Sequence, residues 1–134
     1  MNGLLRELDC TFIHMHVNDQ VAIVGLAGDQ INTATYILLQ RTLHPSGQDV
    51  ALGEGELHVT VCDESRSRYG GVKEVRLQDG HVVLCLCQDA AEDLRTERQV
   101  VIDITNANVS RDALLQALKA VCGPHVPVTE VGKA

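Results

Sequence analysis

The chain has 134 residues, 45% of them hydrophobic and 22% charged, with a formal net charge of -7. That is the make-up of one folded domain over residues 1–134, far from the composition of disordered chains. The sign argues against a general nucleic-acid binder, because phosphate contacts need Lys and Arg gathered on one face. No apolar window approaches the roughly 18 uninterrupted residues of a membrane helix, so neither nucleic acid nor membrane is expected as a partner.

An acidic chain suits solubility, or a basic protein partner reached by electrostatic steering. Phe12, Tyr36 and Tyr69 are the only Phe, Tyr or Trp residues, so the core must be built from Val, Leu and Ile, which suits a sheet covered by a helix. Cys10, Cys62, Cys85, Cys87 and Cys122 are an odd set without a paired framework, and no signal-peptide pattern precedes them. A reducing cytoplasm is therefore the expected location.

Residues 11–17 alternate, with Thr11, Ile13, Met15 and Val17 on one side and Phe12, His14 and His16 on the other, the period of a half-buried strand. Asn18-Asp19 then predicts a tight turn into a second strand at 20–27. A third strand is expected over 34–42, reached through the bend Gly28-Asp29-Gln30 and the segment 31–33. Pro45-Ser46-Gly47 breaks the chain, and the glycines that follow predict a long functional loop to Glu56. A strand resumes over 57–63. Strands at 72–78 and 81–88 flank Asp79-Gly80, the pair that a type I′ hairpin turn demands.

Asp89 is placed to cap a short helix near residues 89–95, with Glu92 reaching back. Residues 99–105 predict another strand, with Val100, Ile102 and Ile104 on one face. Ser110 then caps an amphipathic helix whose apolar positions Leu114, Leu115, Leu118, Val121 and Cys122 recur at helical spacing, with Gly123-Pro124 as the stop. Residues 124–134 read as an edge strand or a loose tail. The expected class is α+β: an antiparallel sheet of six or seven strands, the C-terminal amphipathic helix packed on one face and the short helix beside it.

Residues that could carry chemistry are sparse. His14 and His16 project to one side of a strand, but no third ligand stands at legible spacing, so no metal is assigned. Cys85 and Cys87 are too close for a zinc knuckle or a redox pair and read as buried thiols pointing the same way beside Val83. No G-x-S-x-G elbow or phosphate-binding glycine loop is present. One charge asymmetry stands out. Between Arg41 and Arg66 there is no Lys or Arg, while Asp49, Glu54, Glu56, Asp63 and Glu64 all fall there. Such a run is commonly no more than a solvated face, yet beside a loop it could also plug a basic cleft. Tyr69 before Gly70-Gly71 serves equally as an interface anchor or as a cap on the core.

The polar and glycine positions between residues 36 and 71 form a pattern that local propensity does not explain. Leu39-Gln40-Arg41, Gln48-Asp49, Leu52-Gly53 and Tyr69-Gly70-Gly71 read LQR, QD, LG and YGG. In these motifs the chain resembles immunity protein family 10 of bacterial polymorphic toxin systems, over about residues 20–122. The resemblance implies a non-enzymatic, cofactor-free protein that binds and neutralises a cognate protein toxin in the producing cell. Asp49, Glu54, Glu56, Asp63, Glu64 and Tyr69 are then the expected toxin contacts. On the residues alone, Gln48-Asp49 suits an Asx-type turn and Arg41 could pair with Asp49 across the loop base. The competing reading is a small-molecule-binding or regulatory sheet domain without catalysis. A free sheet edge could also pair two copies into a homodimer.

Overall fold

The structure is a computed structural model that describes residues 4–28, 35–51 and 55–131, apart from the side chain of Asp49. Its strands form two five-stranded sheets. The first is a pure antiparallel meander of β2 (Phe12–Val17), β3 (Val21–Ala27), β4 (Tyr36–Thr42), β5 (His58–Val61) and β6 (Asp63–Tyr69), in chain order. The second is mixed. Its centre is the antiparallel run β7 (Val72–Gln78), β8 (His81–Leu86) and β9 (Thr96–Asp103), and each edge strand joins in parallel: β1 (Leu5–Asp9) on β9 and β10 (Val128–Val131) on β7. Among the described residues three α-helices complete the fold, α1 (Gly47–Ala51), α2 (Gln88–Leu94) and α3 (Arg111–Cys122), with a 3-10 turn at Gly123–His125 after the last.

The local signals act as their chemistry dictates. Asn18 Oδ1 accepts from the amides of Gln20 and Val21 at 2.7 and 2.9 Å, closing the β2–β3 turn. Asp79 takes a positive φ of 49° in the β7–β8 hairpin, the backbone state that the Asp-Gly pair tolerates. Ser110 Oγ accepts from the Ala113 amide at 3.2 Å and starts α3. The buried stripe Leu114, Leu115, Leu118 and Val121 then presses α3 onto the inner face of β2, β3 and β4.

The α+β class and the C-terminal helix on one sheet face are as expected, while the strands number ten among the described residues and divide between two sheets. Both sheets, α2 and α3 feed a single apolar cluster of Val, Leu, Ile, Ala and Cys side chains. Three local expectations are corrected. Cys87, not Asp89, occupies the N-cap of α2, and Asp89 lies inside its first turn. Gln88 Nε2 donates to Glu92 Oε2 at 3.1 Å, so Glu92 reaches back to the helix start through a side chain. The loop after Pro45 contains α1, a helical turn closed by the Val50 amide on the Ser46 carbonyl at 3.1 Å. Strands β1 and β6 had no signature in the sequence pattern. Asp29, Gln30, the segment 31–34 and Leu52, Gly53 and Glu54 lie outside the described residues.

Candidate functional site

Of the signature residues, Arg41, Gly70 and Gly71 meet at one hollow, where the chain leaves β6 of the meander and enters β7 of the mixed sheet. Gly70 and Gly71 make that passage at φ 74° and 88°, in the region that residues with a side chain rarely occupy. The Gly70 amide donates to the Leu57 carbonyl at 2.8 Å, holding the passage to the meander. The Gly71 carbonyl accepts from the Cys87 amide at 2.9 Å, which ties it to the start of α2. A Cβ on Gly71 would lie inside the 3.0 Å that real Cβ atoms keep, against Ala90 of α2. Only glycine fits there.

Arg41, near the end of β4, points inward instead of across the loop. Its Nε donates to the Val121 carbonyl at 3.1 Å and its Nη2 to the Ala120 carbonyl at 2.8 Å. A planar cation therefore completes the C-terminus of α3, where orphan carbonyls and the negative end of the helix dipole converge. Gly123 beside it sits at φ 70°, which favours glycine, and a Cβ there would displace the guanidinium from its carbonyls. Gln40, on the other face of β4, faces outward and its Nε2 lies 3.3 Å from His58 Nδ1. His58 in turn meets Tyr69 edge to face, with ring centroids 4.7 Å apart. Burial lowers the His58 pKa, because the charged imidazolium is the form that loses hydration here.

Arg41, Leu57, Gly70, Gly71 and Cys122 line a hollow of about 640 Å³, which Pro45, Val50 and Glu56 border on the loop side. Val50 is 61% exposed at its margin. Burial pushes the Cys122 thiol up to about 12, so the sulfur in this wall is an inert apolar atom. Glu56 is exposed, its carboxylate folded over Gly70 where an added Cβ would lie 3.2 Å from Oε1.

The expected toxin contacts that the structure describes are spread along β6 and the turn before β5. Tyr69 is 41% exposed, packed edge to face on His58. Asp63 and Glu64 are exposed at the far end of the same strand, about 20 Å away at ~3.3 Å per residue. The Asp63 carboxylate is held below its ordinary value, chiefly by the Ser65 amide it accepts from at 2.9 Å. Gln48 is exposed on α1. The Asp49 side chain, Leu52, Gly53 and Glu54 are outside the described residues.

His14 and His16 lie on the outer face of β2, and His16 Nε2 stands 3.1 Å from Asn18 Nδ2. Cys85 is buried on the outer face of β8, whereas Cys87 leaves the strand and packs against the core, so the two thiols do not share a direction. Sequence reasoning passed over Arg66 and Arg68, whose guanidinium groups turn inward to α2. Arg66 donates to the carbonyls of Leu94 and Arg95, both at 3.0 Å, and Arg68 pairs with Asp93 at 2.8 Å. No hydrophobic periodicity marks this strand, so its only sequence signal is the alternation of arginines with serines.

These contacts describe a two-sheet α+β frame in which Arg41 ties β4 to the end of α3 and Gly70 and Gly71 make the sheet-to-sheet passage. The family model for immunity protein 10 matches residues 8–111, and the chain belongs to that family. Its function is in the general class of immunity. No curated protein matches the chain.

Proposed function

We propose that this protein binds and neutralises one cognate protein toxin inside the bacterial cell that makes both, acting in the cytoplasm as a non-catalytic inhibitor. The family match over residues 8–111 carries this reading. The architecture supports it: the motif arginine and glycines are committed to the frame and position no reacting group. A preorganised frame lowers the ordering cost of a tight interface. The acidic balance of -7 favours fast capture of a basic partner.

The hollow of about 640 Å³ has the size of a small-ligand site. Its arginine is nevertheless turned to the α3 carbonyls, which weighs against a small anionic ligand there. The test is co-expression with the toxic C-terminal domain of a secreted protein encoded immediately upstream. Restored growth together with a co-purifying complex is the expected outcome. Growth without a complex, or a complex without protection, refutes direct inhibition.

A further inference from the structure

The core takes none of the three aromatic residues. Phe12, Tyr36 and Tyr69 all lie on the outer face of the meander sheet, turned away from the apolar cluster. The strand register places His14 opposite Gly25, Gly25 opposite Leu38 and Leu38 opposite Thr60, so these four make one row across that face. The next row runs through His16, Ile23, Gln40, His58 and Tyr69. No Asp, Glu, Lys or Arg stands in either row. A solvated antiparallel sheet ordinarily shows water a polar, charge-bearing face. Depleted charge with enriched aromatics is the composition of the buried centre of a protein interface.

Relief and size agree with that. Gly25 leaves a hollow of about 200 Å³ between Phe12, His14 and Tyr36. A second, of about 190 Å³, opens between Val21, Gln40, Thr42, His58 and Tyr69, with Arg41 also in its lining but its guanidinium turned to α3. Five strands at ~4.8 Å and about six residues at ~3.3 Å give a face of roughly 20 by 20 Å. That is about half of the ~800 Å² that each partner buries in a standard interface, leaving the remainder to the margin.

The margin decides the partner. Asp19 at the β2–β3 turn, and Asp63 and Glu64 at the β5–β6 turn, are all exposed. After burial, the charge of Asp63 is the strongest influence raising the Tyr36 hydroxyl, with Glu64 adding to it, which places these carboxylates at the edge of the aromatic face. Between Cys10 and Tyr69 the only Lys or Arg residues are Arg41, Arg66 and Arg68, and all three are turned inward to helix carbonyls or to Asp93. A second copy on this face would set carboxylate against carboxylate.

We propose that the outer face of the meander sheet is the docking surface for the toxin, its uncharged aromatic centre covering an apolar patch and its acidic margin meeting a basic rim on that protein. The proposal rests on the immunity reading and names its surface. Two variants test it. Leu38→Glu places a charge at the centre of the face, and Gly25→Ala fills one hollow with a Cβ whose nearest neighbour is 3.6 Å away. Val101→Glu, on the outer face of the mixed sheet, is the matched control.

The probe is the purified toxin domain encoded upstream, titrated calorimetrically, with the urea midpoint of each variant measured beside it. Leu38→Glu is expected to weaken binding about 100-fold and Gly25→Ala about 10-fold, with Val101→Glu unchanged. Should Leu38→Glu fail to fold, Gly25→Ala and hydrogen-exchange protection of β3 and β4 by bound toxin decide the matter. Wild-type affinity in the face variants overturns the docking surface while the immunity reading stands. Absence of binding by the wild type defeats both. A wild-type dimer that Leu38→Glu dissolves assigns the face to a second copy and overturns the proposal.

Discussion

Replacing Gly71 with alanine should be among the costliest single-methyl additions available to this protein. The residue sits at φ 88°, and a new Cβ would overlap the Cβ of Ala90, which is 0% exposed and has no room to retreat. Backbone strain of this kind costs ~1–2 kcal/mol, and forcing a methyl into a packed site a further ~1–3 kcal/mol. The expected loss is about 2–5 kcal/mol, a large share of the ~5–15 kcal/mol that keeps a domain folded. With an unfolding entropy of ~2.1 cal/mol/K per residue over 134 residues, each kcal/mol lowers Tm by about 3.5 °C, so the fall should be about 7–18 °C.

Urea and thermal unfolding followed by circular dichroism measure it, and a double-mutant cycle apportions it. Ala90→Gly removes the overlapping methyl at ~1 kcal/mol of helix propensity and leaves the backbone strain in place. The double variant should therefore be more stable than the sum of its parts by about 1–3 kcal/mol. A Gly71→Ala protein within about 0.5 kcal/mol of wild type, or strict additivity with Ala90→Gly, would refute the claim that α2 fixes this glycine.

Arg41→Met should lower stability by about 2–3 kcal/mol, because two carbonyls at the end of α3 lose a charged donor. Arg41→Lys should recover only part of that, since a point charge cannot span both oxygens; unchanged urea midpoints with lost toxin binding would show that the residue serves the interface instead. Acid should destabilise the fold through His58. Burial depresses its folded pKa below the unfolded value of 6.5, so below that pH the unfolded chain binds the extra proton, and stability falls with pH until the folded pKa is passed. His58→Gln should flatten the urea midpoint over that window, and a midpoint that rises on acidification in the wild type alone would contradict the sign.

Much of the fold was legible because it follows short-range rules. The alternation of β2 and β3, the Asn18-Asp19 and Asp79-Gly80 turns and the Ser110 cap each specify a local backbone state that the structure realises. Strand β6 was not legible. Its sequence Asp63–Tyr69 carries acids, arginines and serines without apolar alternation, and it is a strand because β5 offers a ladder and α2 receives Arg66 and Arg68. Strand β1 is similar, five residues that pair in parallel with a strand about ninety positions later. The YGG motif could be recognised as a signature, but its role at the passage between two sheets depends on Ala90, which is remote in sequence.

The sequence by itself determined the α+β class, the aliphatic core, the C-terminal helix and the family, because hydrophobic period, capping chemistry and motif spacing are written residue by residue. Tertiary structure alone decided that the strands divide into two sheets, that Arg41 completes α3, and that three aromatics spaced along the chain share the outer face of the meander. The physical reason is register. Which residue stands beside which across a sheet is set by pairing at long range, and a one-residue slip would turn every one of those side chains to the opposite face.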